Sequence, residues 1–200
     1  SRHIRGPMNG ILGNAQLMEA GQLDAGQREL LAGLKSSAAG LQTLLDRLLD
    51  YSRIDGGSAG FNRRPFAWQD LLERLHNRHA VNVGADRPHL ALTLDPATLP
   101  AAEGDADRIL QLLDELMTNA LRAASSGEVS LTVRPSTGGI ELEVADNGPG
   151  IAAERLTTLL EPFADPAGGE GHGLGLPLAA ALSRAMGGRI AIDSRPGDTR

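Results

Sequence analysis

The sequence predicts an α+β protein: an antiparallel two-helix hairpin, a four-helix bundle as a dimer, followed by an α/β sandwich with a mixed sheet. Three observations predict it. Apolar residues recur at 4-3-4-3 spacing in two stretches, residues 1–20 and 27–54. Farther on, the alternating stretches HLALTLD and EVSLTVRPSTGGIELEVAD interleave with the amphipathic ADRILQLLDELMTNALRAA. Between the two regions lies DGGSAGFNRR, residues 55–64, rich in Gly and Ser as linkers are.

In the first stretch Ile4, Met8, Ile11, Ala15 and Met18 fall on one helix face. In the second, Leu34, Ala38, Leu41, Leu45 and Leu48 repeat the seam, flanked by Leu30, Leu31, Leu44 and Leu49. The polar joint EAGQLDAGQ between them makes a hairpin. One hairpin cannot bury both seams and the flanking leucines, so a homodimer through residues 1–56 is expected. Packing of the hairpin on its own second domain is the other arrangement the pattern allows. Residues 57–64 then form the linker and 65–200 the second domain. PFAWQDLLERLHNRHAV reads as a short strand turning into a helix, and HLALTLD as a half-buried strand. The Gly-Gly in EVSLTVRPSTGGIELEVAD marks a hairpin turn. GLGLPLAAALSRAMGG is a helix closed by Gly-Gly, with RIAIDS as the strand after it. Strands and helices in this order place helices on one face of a mixed sheet.

The totals narrow the function. The 200 residues carry 19 basic and 25 acidic side chains, a balance that disfavours nucleic acid as the main partner. No run of 18 apolar residues is present, so no membrane contact by this stretch is expected. With no Cys there are neither disulfides nor thiolate metal sites. Aromatics make up 2%, which leaves the core to Leu, Ile, Val and Ala. Residue 1 already falls inside a helical pattern, so the chain reads as an excised piece.

Three motifs carry the chemistry, each ordinary alone. Glu115 and Asn119 stand four apart in ELMTNALRA and share a helix face. DNGPG, Asp146 to Gly150, follows a strand and sets a carboxylate beside backbone without side chains. GHGLGL, Gly171 to Leu176, opens a helix, where exposed backbone N–H groups and the helix dipole favour an anion. It is not the dinucleotide fingerprint, since no parallel βαβ unit surrounds it.

In this order the three resemble the ATP-binding domain of sensor histidine kinases, in the wider group that includes gyrase, Hsp90 and the mismatch-repair ATPases. Glu115 and Asn119 are similar to the N box, DNGPG to the first glycine box, EPF (Glu161–Phe163) to the F box and GHGLGL to the second glycine box. IRGPMNGILG and LLDYSRIDGG resemble the two helices of the dimerisation and phosphotransfer hairpin, the former in its hybrid-kinase form. RIAIDSRPGDT resembles the closing strand and turn, after which the family has one more strand.

The resemblance implies ATP and Mg²⁺ as cofactors. Asn119 would hold Mg²⁺, Glu115 would orient or deprotonate near the γ-phosphate, and Arg122 would pair with phosphate. Asp146 would read the adenine amine, with Gly148 and Gly150 admitting the base. Gly171, His172, Gly173, Leu174 and Gly175 would line the phosphates. Residues between Gly150 and Gly171 would be the lid, although ADPAGGE, residues 164–170, is short for one and has no Lys or Arg.

The opening stretch departs from the family. Its usual pattern there is Ser-His-Glu-Ile-Arg-Thr-Pro, with the His accepting phosphate. This chain has Ser1-Arg2-His3-Ile4-Arg5-Gly6-Pro7, so Arg2 stands at the acceptor position, His3 at the acidic one and Gly6 at the Thr or Asn. Taking Ile4 as core-facing, position 2 points about 160° away and position 3 about 100°. Gly6 and Pro7 are poor helix formers, so a kink or local unwinding there is expected.

Two readings follow. One is the cytoplasmic kinase core of a hybrid, membrane-anchored bacterial sensor. It uses His3 as phosphoacceptor and passes the phosphate to the receiver domain of a response regulator. The alternative is an impaired kinase that regulates a second sensor kinase through its helical bundle. An anti-sigma-type serine kinase is disfavoured, because that class lacks the hairpin. His76, His79 and His89 read as surface histidines, and Trp68 as a packing anchor between linker and sandwich.

Overall fold

The computed structural model describes residues 2–80, 89–94, 102–124, 127–164 and 173–200, with side chains except at 2–5, 8 and 94. It divides into two compact units, residues 1–53 and 54–200.

The first unit holds α1 (Arg2–Glu19) and most of α2 (Ala25–Asp55). The backbone runs as α-helix through Gly6 and Pro7, so the expected local unwinding there does not occur. Pro7 lies in the second turn, where its missing N–H forfeits one bond, to the His3 carbonyl. A capping box starts α2: Gln27 N donates to Asp24 Oδ1 at 2.8 Å and Asp24 N to Gln27 Oε1 at 3.0 Å. Lys35 reaches back to Glu19 at 2.7 Å and ties the end of α1 to α2. Ala15, Leu31 and Ala38 are buried. Ile11, Met18, Leu30 and Leu34 border an open apolar groove of about 410 Å³ between the helices.

In the second unit, β1 (Arg64–Phe66) pairs antiparallel with β3 (Ala102–Gly104), a short strand without a sequence signal. α3 (Trp68–His79) follows β1. Trp68 is 2% exposed and meets Phe66 edge to face at 5.1 Å, the packing role expected of it. The main sheet comprises β2 (His89–Leu94), β4 (Glu128–Ser136), β5 (Gly139–Asp146), β6 (Ser194–Arg195) and β7 (Asp198–Thr199), in the order β2-β4-β5-β7-β6. β2 and β4 run parallel and the remaining pairs antiparallel. α4 (Ala106–Ala124) and α6 (Gly175–Ala185) pack on each other, and α4 on the sheet. Leu110, Leu113, Met117, Leu178, Leu182, Val129, Leu131 and Val133 are all fully buried and form the aliphatic core. One turn of helix, α5 (Ala153–Leu156), has no counterpart in the sequence reading. No described helix is long and apolar enough to cross a membrane.

Two expectations need correction. RIAIDS is not a full strand: pairing begins only at Asp193, whose N–H and C=O exchange bonds with Arg200, and the chain turns back through Gly197. His79 is not a surface histidine. It is 4% exposed, with Nε2 lying 3.0 Å from Asp114 Oδ1, unaligned for a hydrogen bond.

Asp105 does two jobs before α4. Its Oδ1 accepts Arg108 N at 3.1 Å as an N-cap, and its Oδ2 accepts Asn62 N at 2.7 Å, holding the linker. Asp105→Ala loses both bonds and is expected to cost about 2 kcal/mol and lower the melting temperature by about 5 °C. Asp105→Asn, read in the same thermal scan, keeps one acceptor and so recovers about half of that loss.

Candidate nucleotide site

The amphipathic α4 has two working faces. Its leucines meet the sheet, and Glu115 and Asn119, one turn apart, lie on a flank beside the start of α6. Glu115 is 7% exposed, an unusual place for a carboxylate at the edge of an aliphatic core. Gly175 opens α6 against this pair. A Cβ there would come within 3.0 Å of Glu115 Oε2 and 3.4 Å of Asn119 Nδ2. The second glycine motif therefore packs directly on the N box, with the buried Leu174 anchoring the turn into the helix.

The first glycine motif lies at the far end of the same helix. A Cβ at Gly148 would fall 2.8 Å from the Ala123 carbonyl oxygen. Ala123 is eight residues beyond Glu115, a rise of about 12 Å. α4 is thus the common wall of both glycine motifs. Asp146 ends β5, half-buried, with Oδ1 accepting Gly148 N at 2.8 Å. Burial pushes its carboxyl above the usual range, Gly148 N–H pulls it back, and the nearby Asp198 charge raises it again. Gly150 holds φ +79°, which a side chain rarely adopts.

The F box is brought to the second glycine motif. Phe163 N donates to the Gly173 carbonyl at 3.1 Å, and both residues are left-handed, at φ 63°. For Phe this is a strained conformation, of the kind that gathers at functional sites. Arg122 is exposed on the last turn of α4, one turn beyond Asn119. Gly171, His172 and residues 165–170 of the expected lid lie outside the described residues, and His3 is described only as backbone on α1.

The residues present suit Mg²⁺. Beside Gly175 lies a cradle that a Cβ would fill, edged by a carboxylate and a carboxamide, both hard-oxygen donors. Among the described residues no group of three or more His, Asp or Glu could hold a metal, so a cation there depends on phosphate and water for its other ligands.

Comparison with known proteins identifies both regions of the chain. Residues 1–57 match the His Kinase A (phospho-acceptor) domain, and residues 104–200 the histidine kinase-, DNA gyrase B-, and HSP90-like ATPase. The sensor protein TorS of Escherichia coli K12 is 34% identical over 98% of this chain and 22% of its own length. The sensor histidine kinase RcsC of the same strain is 28% identical over 98% of this chain and 21% of its own. The chain thus spans about a fifth of the length of these relatives. A crystal structure of full-length ShkA in complex with AMPPNP superposes with a TM-score of 0.85 at 30% identity, covering 99% of this chain and 42% of that one. The Acinetobacter baumannii histidine kinase AdeS, at 22% identity and a TM-score of 0.72 over 100% of this chain and 94% of its own, shares the fold. The chain belongs to the histidine kinase family and is a two-component sensor kinase core, with a phospho-acceptor hairpin joined to a histidine kinase-type ATPase domain.

Proposed function

We propose that this core binds ATP along α4 and transfers its γ-phosphoryl group to His3, for relay to an aspartate of a receiver domain. One observation carries the reading: both glycine motifs pack on α4, Gly175 against Glu115 and Asn119, and Gly148 against Ala123. Asp146 accepts the adenine amine, and Gly148 and Gly150 let the base approach the backbone. The amides opening α6, from Gly173 through Gly175, face the phosphates with the positive end of the helix dipole. Bound Mg²⁺, held by Asn119, would supply charge neutralisation across the phosphates. Glu115 orients the groups around the γ-phosphate, and Arg122 adds a cation at the rim. AMPPNP in the ShkA complex supports a triphosphate ligand.

His3 is the only histidine in the matched phospho-acceptor region, residues 1–57, which is why it takes the phosphate although Arg2 occupies the usual position. The core works as a homodimer through residues 1–56, on the cytoplasmic side of a longer, membrane-anchored hybrid sensor. The regulator reading draws no support from the matched families or relatives.

Incubation with γ-labelled ATP and Mg²⁺ tests this. Acid-labile label is expected on the wild type and on Arg2→Ala, and is lost in His3→Ala. Label that survives in His3→Ala and disappears in Arg2→Ala would overturn the acceptor assignment, as would an unlabelled wild type that binds ATP.

A further inference from the structure

The DNGPG loop is held from both sides by groups the proposed mechanism does not use. On one side lies β4. Asn147 Oδ1 accepts Glu128 N at 3.0 Å, and Asn147 N donates to the Glu128 carbonyl at 3.3 Å. The preceding Gly127 leaves room for this bracket, since a Cβ there would collide with the Asn147 side chain. On the other side lies the terminal hairpin of β6 and β7. Ile151 N donates to Ser194 Oγ at 2.8 Å, and Ser194 Oγ shares a second bond of 2.8 Å with Thr199 Oγ1. Gly197 N donates to the Gly148 carbonyl at 2.8 Å. A Cβ at Gly150 would fall 2.8 Å from the Arg195 carbonyl carbon, so the loop lies flat on this hairpin. The sheet order, β4-β5-β7-β6, sets the two brackets on opposite flanks of the strand that ends in Asp146.

We infer that Ser194 and Asn147 are positioning residues that set the direction of the Asp146 carboxylate, and so the preference for adenine. The inference rests on the reading of Asp146 as the acceptor of the adenine amine. Ser194 Oγ is engaged by Ile151 and Thr199, and Asn147 Oδ1 by Glu128, so both act on the nucleotide through the loop backbone. Asp146 has one oxygen occupied by Gly148 N, and a small rotation of the loop would swing the other away from the amine.

The test compares ATP with purine riboside triphosphate, which lacks the exocyclic amine, by calorimetric titration of the 200-residue chain in the presence of Mg²⁺. Ser194→Ala and Asn147→Ala are each expected to weaken ATP about tenfold, the loss of one well-aimed hydrogen bond, while the amine-free analogue changes less than about twofold. Ser194→Thr and Asn147→Asp, which keep the accepting oxygens, restore the ratio. Equal weakening of both triphosphates, or no change in either, overturns the inference while leaving Asp146 as the amine acceptor. A wild type that binds both triphosphates equally overturns the Asp146 reading itself, and the inference with it. Should Ser194→Ala not fold, Asn147→Ala probes the same coupling from the other flank.

Discussion

Asp146→Asn is expected to weaken ATP binding about 100-fold and yet raise the melting temperature of the nucleotide-free chain. The first effect follows from donor and acceptor count. Asp146 Oδ1 already receives Gly148 N, so the second carboxylate oxygen is the one left for the adenine amine. An Asn that keeps the Gly148 bond presents its own NH₂ to that amine, donor against donor. The second effect follows from linkage. Burial raises the Asp146 carboxyl above its unfolded value, so the folded chain holds that proton to higher pH than the unfolded chain does. Its contribution to stability is fully present below the unfolded carboxylate pKa and is lost as pH rises through the folded one. At neutral pH the ionised group therefore opposes folding, and the neutral amide relieves it, so the melting temperature rises. Scanning calorimetry without nucleotide and titration with ATP read the two effects separately. A variant that melts lower and binds ATP unchanged would show that Asp146 serves the fold and not the ligand.

This opposition between stability and binding also explains which parts of the molecule are legible in the sequence. α4 is readable because its amphipathic period runs unbroken from Ala106 to Ala124. The strand pair 128–146 is readable because alternation and a Gly-Gly turn agree. Glu115, Asn119, Asp146 and the glycines are visible as motifs, since polar groups and missing side chains break the apolar pattern. What stays hidden is long-range. Ser194 and Ile151 are 43 residues apart, as are Asn62 and Asp105, and no local period reports such bonds. His79 resembles a surface histidine in the sequence because its burial depends on Asp114 of another helix. β3 is three residues long and exists only through pairing with β1. Asp105 does carry a signal, an acidic residue immediately before a strong amphipathic run, which marks a cap.

Leu41→Glu is expected to convert the chain from dimer to monomer at micromolar concentration while leaving ATP affinity unchanged. On α2, Leu31 and Ala38 are each 6% exposed, whereas Leu34, Leu41 and Leu48, also at heptad spacing, are 48%, 50% and 37% exposed. One half of the 4-3-4-3 seam thus packs within the hairpin and the other half is left over. On α1 the same split leaves Ile11 at 44% and Met18 at 57%, beside Ala15 at 2%. A stripe of aliphatic side chains this regular is stabilised by a second stripe of the same spacing, and a second copy of the chain supplies one. In a two-fold bundle one substitution removes two leucines and sets two carboxylates in the same apolar layer, a loss of about 100-fold or more in dimer affinity. The nucleotide residues belong to the other unit, so ATP titration serves as the control for folding. Sedimentation velocity on wild type and variant decides the matter. A wild type that stays monomeric would assign the exposed stripe to a different partner. A Leu41→Glu chain that stays dimeric would move the interface away from α2.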